Sequence, residues 1–217
     1  AEALGLQVFA LTDHCDMVGS FSREFLRSNI SRSVGGIAAW REAHPAGCRM
    51  LCGMELGDPL DNRPLAEEML SLAPFDVVIG SLHAMPNDLD LYDHDYDHLD
   101  CDALLRDYFA EVVRMEQYGG FDVLAHLDYP LRVMKRPGNH PSFDNFMEHI
   151  LPVLREAVAR GYAIECNAAT LFSWMERPGP DRWILEENRR LGGERVSFGS
   201  DAHRAGDIGR GAAVYRD

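Results

Sequence analysis

An aspartate and a histidine lie two residues apart near the end of this chain, in the sequence Gly199-Ser200-Asp201-Ala202-His203 that follows an apolar run. Residues two apart in a strand point to the same side, so Asp201 and His203 can direct a carboxylate and an imidazole at one point. Both groups are metal ligands. The pair alone fits a hydrogen-bonded pair or a solvated turn better than a metal site, so the interpretation depends on whether such residues recur.

Four more metal-capable side chains follow apolar runs of β type, in Thr12-Asp13-His14, Gly53-Met54-Glu55, Gly80-Ser81-Leu82-His83 and Leu124-Ala125-His126. Imidazole and carboxylate donors together suit zinc, manganese or iron(II). A single zinc ion needs only three or four ligands, so this set indicates more than one ion. The candidate ligands are His14, Glu55, His83, His126, Asp201 and His203.

The segments that must position these ligands alternate between strand and helix patterns. Short apolar runs predict strands at residues 7–11, 49–55, 75–80, 121–125, 162–167 and 196–203, the first of them buried. Helical patterns lie around residues 37–40, 65–72, 102–118, 146–161 with Ser142 as a cap, and from 181 onward. This alternation predicts a parallel α/β sheet. Ligands spread over five strand ends favour a barrel, in which all strand ends face one mouth, over an open sheet with a single switch point.

The composition excludes several classes of partner. The 217 residues include 35 acidic and 21 basic side chains, a formal net charge of −14. This balance argues against binding to nucleic acid, but it does not exclude a small phosphorylated substrate. No apolar run approaches the roughly 20 residues that cross a bilayer, so no membrane contact is expected. The five cysteines form no Cys-x-x-Cys pair, which favours a reducing, cytoplasmic setting.

Residues 84–101 form an acidic segment. The Asp93-x-Asp95-x-Asp97 spacing is that of a calcium loop, but His98 stands where that loop needs glycine and Leu104 where it needs glutamate. We therefore exclude an EF-hand. The segment is either a solvated loop or an entrance that attracts a cation.

Taken together, the motifs resemble the polymerase and histidinol phosphatase (PHP) superfamily, nearest its histidinol-phosphatase branch. The resemblance rests on the four sequences above, on Gly199 to His203, on Ala125-His126-Leu127-Asp128-Tyr129-Pro130 and on Ile164-Glu165-Cys166-Asn167. It implies one metal-dependent phosphoesterase domain over residues 1–217, folded as a distorted TIM-like (β/α)7 barrel with a trinuclear site for zinc, manganese or iron. It also implies hydrolysis of a phosphomonoester, L-histidinol phosphate, in histidine biosynthesis.

The resemblance further implies a role for each ligand. Glu55, His83 and His126 would hold one ion, and Glu55 would bridge to a second ion that Asp201 also binds. His14 and His203 would hold a third. Glu55, His83, Asp201 and His203 would form the catalytic set.

Four other residues take roles around that centre by the same resemblance. Asp13 and Asp128, each close to a ligand histidine, would orient the ligands from behind. Arg132 would contact the substrate phosphate, which suits a planar guanidinium, and Asn167 would face the substrate.

The sequence departs from the family pattern in two places. No His-x-His strand precedes Thr12, so we expect a domain whose first strand is missing and which is also cut at the C-terminus. Ala168 to Phe172 lack a second phosphate-binding arginine. Two alternatives therefore stay open: a PHP phosphoesterase acting on a nucleotide or phosphosugar, and a non-catalytic fragment with a partial metal site.

Overall fold

The computed structural model describes residues 1–19, 21–134 and 142–215, and it contains a six-stranded sheet in which every pair of neighbours is parallel. The strands are β1 (Val8–Asp16), β2 (Arg49–Gly57), β3 (Val77–Ser81), β4 (Val123–Leu124), β5 (Ala163–Asn167) and β6 (Val196–Gly199). Their order in the sheet is their order in the chain. The predicted alternation of strands and helices is confirmed.

In the described part of the chain, six α-helices connect or follow these strands. They are α1 (Arg23–Ala43), α2 (Arg63–Leu70), α3 (Cys101–Tyr118), α4 (Tyr129–Val133), α5 (Met147–Arg160) and α6 (Arg182–Arg190). The sheet curls so that residues from all six strands line one cavity of about 560 Å³. The described residues thus form a curled parallel sheet of six strands, a half-barrel. Within this part of the chain, no helix is long and apolar enough to span a membrane.

The main hydrophobic core lies where α3 and α5 pack together and against the sheet. Tyr108 and Phe109 on α3 are fully buried, and the Phe109 ring meets Phe143 edge to face at 5.0 Å. Asp100 begins α3 by accepting a hydrogen bond from the Ala103 backbone N–H. The apolar face of α3 therefore packs in the core.

Two predictions about β1 and α1 are wrong. β1 runs on to Asp16, and Val8 and Leu11 are exposed, because within the described residues this strand lies at one edge of the sheet. Helix α1 begins at Arg23, well before the predicted pattern, because the Ser22 hydroxyl accepts a hydrogen bond from the Phe25 backbone N–H. The helical pattern of the sequence therefore covers only the second half of α1.

The predicted cap at Ser142 is also wrong, since α5 begins at Met147 after Phe146. The Ser142 hydroxyl instead accepts a hydrogen bond from the Asp144 backbone N–H within a turn. Pro152 lies inside α5. The short helix α4, which directly follows His126 to Asp128, has no counterpart in the prediction.

Candidate metal centre

Three imidazoles surround the carboxylate of Glu55 at the carboxyl ends of the strands. Glu55 Oε1 lies 3.1 Å from His126 Nε2 and 3.3 Å from His83 Nε2. Glu55 Oε2 lies 3.8 Å from His14 Nε2. One nitrogen of His14, one of His83 and one oxygen of Glu55 all fall within 4.8 Å of one another, so this donor set fits a divalent ion.

Strand register explains this convergence. His14 on β1 stands opposite Glu55 on β2, and Glu55 stands opposite Ile79 on β3. His83 comes two residues after the end of β3, and His126 comes two residues after the end of β4. Parallel strands bring their carboxyl ends to one edge, so four positions distant in sequence become neighbours.

The cluster is strongly polarised. Burial alone would raise the pKa of Glu55, but hydrogen bonds from His126 and His83 hold it well below its usual range. Burial would lower the pKa of His83, yet hydrogen bonds to Asp16 and Glu55 raise it well above its usual range. A hydrogen bond to Asp16 raises the pKa of His14 to about 9. The carboxylates thus favour positive charge on the neighbouring imidazoles. A divalent cation bound between them can supply that charge in place of protons.

Asp201 and His203 lie on the other side of the cavity. β6 ends at Gly199 and Asp201 has a φ of 49°, so the extended geometry expected for this pair is wrong. The two side chains nevertheless meet, with Asp201 Oδ1 3.6 Å from His203 Nδ1. The exposed His203 ring stacks at a tilt 5.6 Å from the His14 ring, which brings the sixth candidate ligand to the rim of the cluster.

The predicted substrate residues flank Asp201. Arg132 Nη1 donates a hydrogen bond to Asp201 Oδ2 at 2.7 Å. The guanidinium also lies over the Tyr129 ring, 5.1 Å from its centroid, and that ring contacts both His83 and His126. Arg132 is thus held at the wall of the cluster.

Asn167, predicted to face the substrate, lines the cavity, and its side chain contacts other residues of the cavity wall. Its Nδ2 lies 3.1 Å from Glu165 Oε2 and 3.5 Å from Asp201 Oδ2, and its Oδ1 accepts a hydrogen bond from the Ala169 backbone N–H. The structure therefore gives Asn167 an orienting contact with Asp201.

The two predicted orienting carboxylates differ in their surroundings. Asp128 is buried beside Gly179, and neither of its oxygens has a hydrogen-bond partner among the described residues. Burial raises its pKa. Asp13 is exposed at the cavity, whereas Asp16 is the β1 carboxylate that contacts both His14 and His83.

Glu165 supports His126 from β5 and was missed by the sequence analysis as a site residue. Its Oε2 accepts a 2.7 Å hydrogen bond from the His126 backbone N–H. The buried carboxylate fits because residue 199 is glycine: a Cβ there would lie 1.9 Å from Glu165 Oε1. Two residues of the Ile164 to Asn167 motif thus hold two candidate ligands in place.

Replacing Gly199 with alanine is therefore expected to destabilise both the fold and the site. The new methyl group must displace Glu165 from His126 or shift β6, and overpacking or a lost buried hydrogen bond costs on the order of 2 kcal/mol. Denaturant unfolding and Zn²⁺ titration would measure the two effects. The matched control is Gly206→Ala, where nothing lies within 4 Å of the added Cβ. Equal stability and equal zinc affinity in the two variants would contradict this account.

Comparisons with known proteins identify a matching domain family and similar sequences. The PHP domain family matches residues 1–169. A probable histidinol-phosphatase of Thermotoga maritima is 41% identical over 119 residues, an alignment that covers 54% of this chain and about half (48%) of that relative. A probable histidinol-phosphatase of Deinococcus radiodurans is 27% identical over 213 residues, covering 94% of this chain and 78% of the relative.

A solved structure shares the fold. The histidinol phosphate phosphatase of Lactococcus lactis, complexed with zinc, L-histidinol and phosphate, superposes with a TM-score of 0.77. The two chains are 22% identical, and the superposition covers 91% of this chain and 74% of the other. At this identity the likeness establishes the fold.

Proposed function

Because this chain belongs to the PHP domain family, we propose that it is a metal-dependent phosphomonoester hydrolase, and specifically a histidinol-phosphatase. Its reaction would convert L-histidinol phosphate and water to L-histidinol and phosphate, a step of histidine biosynthesis. The observation that carries the proposal is the convergence of His83 Nε2, His126 Nε2 and His14 Nε2 on the Glu55 carboxylate. The names of the Thermotoga and Deinococcus relatives support the substrate.

We assign two to three divalent ions to the site, zinc, manganese or iron, and we assign their ligands as the family resemblance implies. Glu55, His83 and His126 would share one ion, Glu55 would bridge toward Asp201, and His14 with His203 would take another. Bound divalent ions would neutralise charge on the phosphate ester and generate a nucleophile from water at neutral pH. Zinc in the Lactococcus complex supports this class of ion.

The protein's own groups would bind and orient the ester. Arg132 offers a guanidinium with a fork geometry that matches phosphate oxygens, and its partner Asp201 and the Tyr129 ring hold it at the cavity wall. Asn167 and Glu165 keep Asp201 and His126 in place through the hydrogen bonds described above. Catalysis would thus depend on rigid placement of charge around the phosphate.

The remaining assignments follow the same reasoning. The substrate would be small and phosphorylated, with neither nucleic acid nor a membrane as a partner, and the protein would act in the cytoplasm. The curled sheet would form the wall of a distorted (β/α)7 barrel. Each of these assignments extends the family membership and the acidic composition.

The test is phosphate release from L-histidinol phosphate with added Mn²⁺ or Zn²⁺, measured beside a nucleoside monophosphate and a sugar phosphate. We expect the highest kcat/KM with L-histidinol phosphate, and no release by a His126→Ala variant. Preference for a nucleotide or sugar phosphate would replace the substrate assignment. A metal-loaded protein that hydrolyses none of them would overturn the proposed activity.

A further inference from the structure

We propose that Asp16 is a positioning residue: its carboxylate accepts a hydrogen bond from Nδ1 of His83 and so directs Nε2 of the same ring toward Glu55. Asp16 Oδ1 lies 3.0 Å from His83 Nδ1, and the Asp16 side chain is 17% exposed. On the opposite edge of the ring, His83 Nε2 lies 3.3 Å from Glu55 Oε1. The inference rests on the proposed metal site, to which it adds a residue.

The hydrogen bond selects the chemical form of His83 that can bind a cation. A neutral imidazole carries one N–H, and only its other nitrogen has a lone pair for a metal. A carboxylate at Nδ1 keeps the hydrogen there and leaves Nε2 as the ligand atom. Without Asp16, the ring could turn over or place its hydrogen on Nε2, and both changes weaken binding.

A second carboxylate fixes the backbone of His83. Asp58 Oδ1 accepts hydrogen bonds from the backbone N–H groups of His83, at 2.8 Å, and Ala84, at 2.9 Å. Asp58 is fully buried. Because Asp58 holds the backbone of His83, the imidazole can move only by rotating about its side-chain bonds. The hydrogen bond to Asp16 restricts this rotation.

Strand pairing makes room for this arrangement. Asp16 stands opposite Gly57 in the register of β1 and β2, and Gly57 stands opposite Ser81 on β3, two residues before His83. A Cβ at position 57 would lie 2.0 Å from Asp16 Oδ1 and 3.2 Å from His83 Nδ1. Glycine at 57 therefore leaves the gap in which the carboxylate and the imidazole meet.

Asp16 also contacts a second histidine of the cluster. Its Oδ2 lies 3.3 Å from Nδ1 of His14, whose Nε2 faces Glu55. The same carboxylate thus contacts the outward nitrogen of two rings, and in each ring the inward nitrogen is the one near Glu55. A residue that only filled space would show no such preference for Nδ1.

The test compares Asp16→Ala and Asp16→Asn with the matched control Asp107→Asn, which removes an exposed carboxylate from α3. The dissociation constant for Zn²⁺ is measured by competition with a chromophoric chelator. Loss of an outer partner of a ligand histidine typically weakens metal binding about 10- to 100-fold, and we expect this for Asp16→Ala. Asp16→Asn keeps an acceptor oxygen for Nδ1–H and should recover part of the affinity, which a purely structural role would not predict.

A second measurement uses the parent protein, so it does not depend on whether the Asp16 variants fold. Nitrogen-15 NMR of the zinc-loaded parent, with the His83 signals assigned from a His83→Gln variant, should show zinc on Nε2 and hydrogen on Nδ1. Zinc on Nδ1 would overturn the proposal, as would an Asp16→Ala variant that binds Zn²⁺ as tightly as the Asp107→Asn control. A parent that binds no zinc would overturn the metal site as well. Intact zinc binding without phosphate release from any of the three esters would overturn the proposed activity but not the role of Asp16.

Discussion

A Glu55→Gln variant is expected to lose at least about 1000-fold in kcat/KM for phosphate release, because the charge that a bound ion contributes is worth several kcal/mol in the transition state. Glutamine keeps the shape of the side chain but has no negative charge. One end of its amide is a donor, which cannot serve as a metal ligand. Since Glu55 faces all three imidazoles, its loss affects every ion of the proposed centre.

The same variant should also bind less metal. The hydrogen bonds of Glu55 keep its pKa low and its carboxylate ionised at neutral pH, so the substitution removes a full negative charge from a buried position. Metal content after dialysis, measured by mass spectrometry, should fall below that of the parent. A Glu55→Gln variant that is fully loaded with metal and fully active would contradict the central role of Glu55.

The control is Glu42→Gln on α1, which makes the same chemical change at an exposed position. It should leave kcat/KM and metal content unchanged. Thermal unfolding of both variants would show whether any loss of activity at residue 55 comes from loss of fold. An inactive but folded Glu55→Gln variant is the expected outcome.

The convergence of the candidate ligands could be predicted because it depends on a regular feature. Alternating strand and helix patterns give parallel strands, and the carboxyl ends of parallel strands meet at one edge. Glu55, His83 and His126 each follow such a run, so their meeting needed no knowledge of loop structure. Asp201 and His203 meet for another reason, since Asp201 lies beyond β6 in a left-handed conformation.

The supporting carboxylates were harder to predict because they depend on contacts between distant strands. Glu165 reaches His126 only where Gly199 leaves space on the next strand, and no local pattern reports that gap. Asp16 did carry a signal: it lies two residues after His14, the same spacing that singled out Asp201 and His203. The sequence analysis did not use this spacing because it predicted that β1 ends at Leu11.

Helix boundaries failed where tertiary packing decided the path of the chain. Ser142 is a good capping residue, but Phe143 and Phe146 are buried, with their rings against Phe109. The burial of two aromatic rings outweighs one capping hydrogen bond, so α5 begins only at Met147.

A Glu116→Gln variant is expected to become more stable than the parent as the pH rises. Glu116 lies on α3, fully buried, and its two carboxylate oxygens have no hydrogen-bond partner in the described part of the chain. The charged groups facing it are Glu156 and Arg160 on α5, which pair with each other at 2.7 Å. The Tyr162 hydroxyl donates to the Glu116 backbone carbonyl, not to its carboxylate.

The direction of the effect follows from proton binding. Burial, and then the charge of Glu156, raise the pKa of Glu116 to about 9 from an ordinary value of 4.5, so between these values the folded protein binds a proton that the unfolded chain has released. The extra proton on Glu116 therefore stabilises the folded protein. This stabilisation is complete below about pH 4.5 and is lost as the pH rises toward about 9. Each pH unit in that window lowers the free energy of unfolding by about 1.4 kcal/mol.

Glutamine at position 116 cannot ionise, so the variant lacks this loss. The difference in unfolding free energy between Glu116→Gln and the parent should therefore grow by on the order of 3 kcal/mol between about pH 6 and about pH 8. Urea unfolding at several pH values would measure it, and other titrating groups cancel because both proteins contain them. For Glu42→Gln the difference should stay flat. A flat difference for Glu116→Gln as well would mean that the buried carboxyl is already ionised in the folded protein, stabilised by a partner beyond its described neighbours.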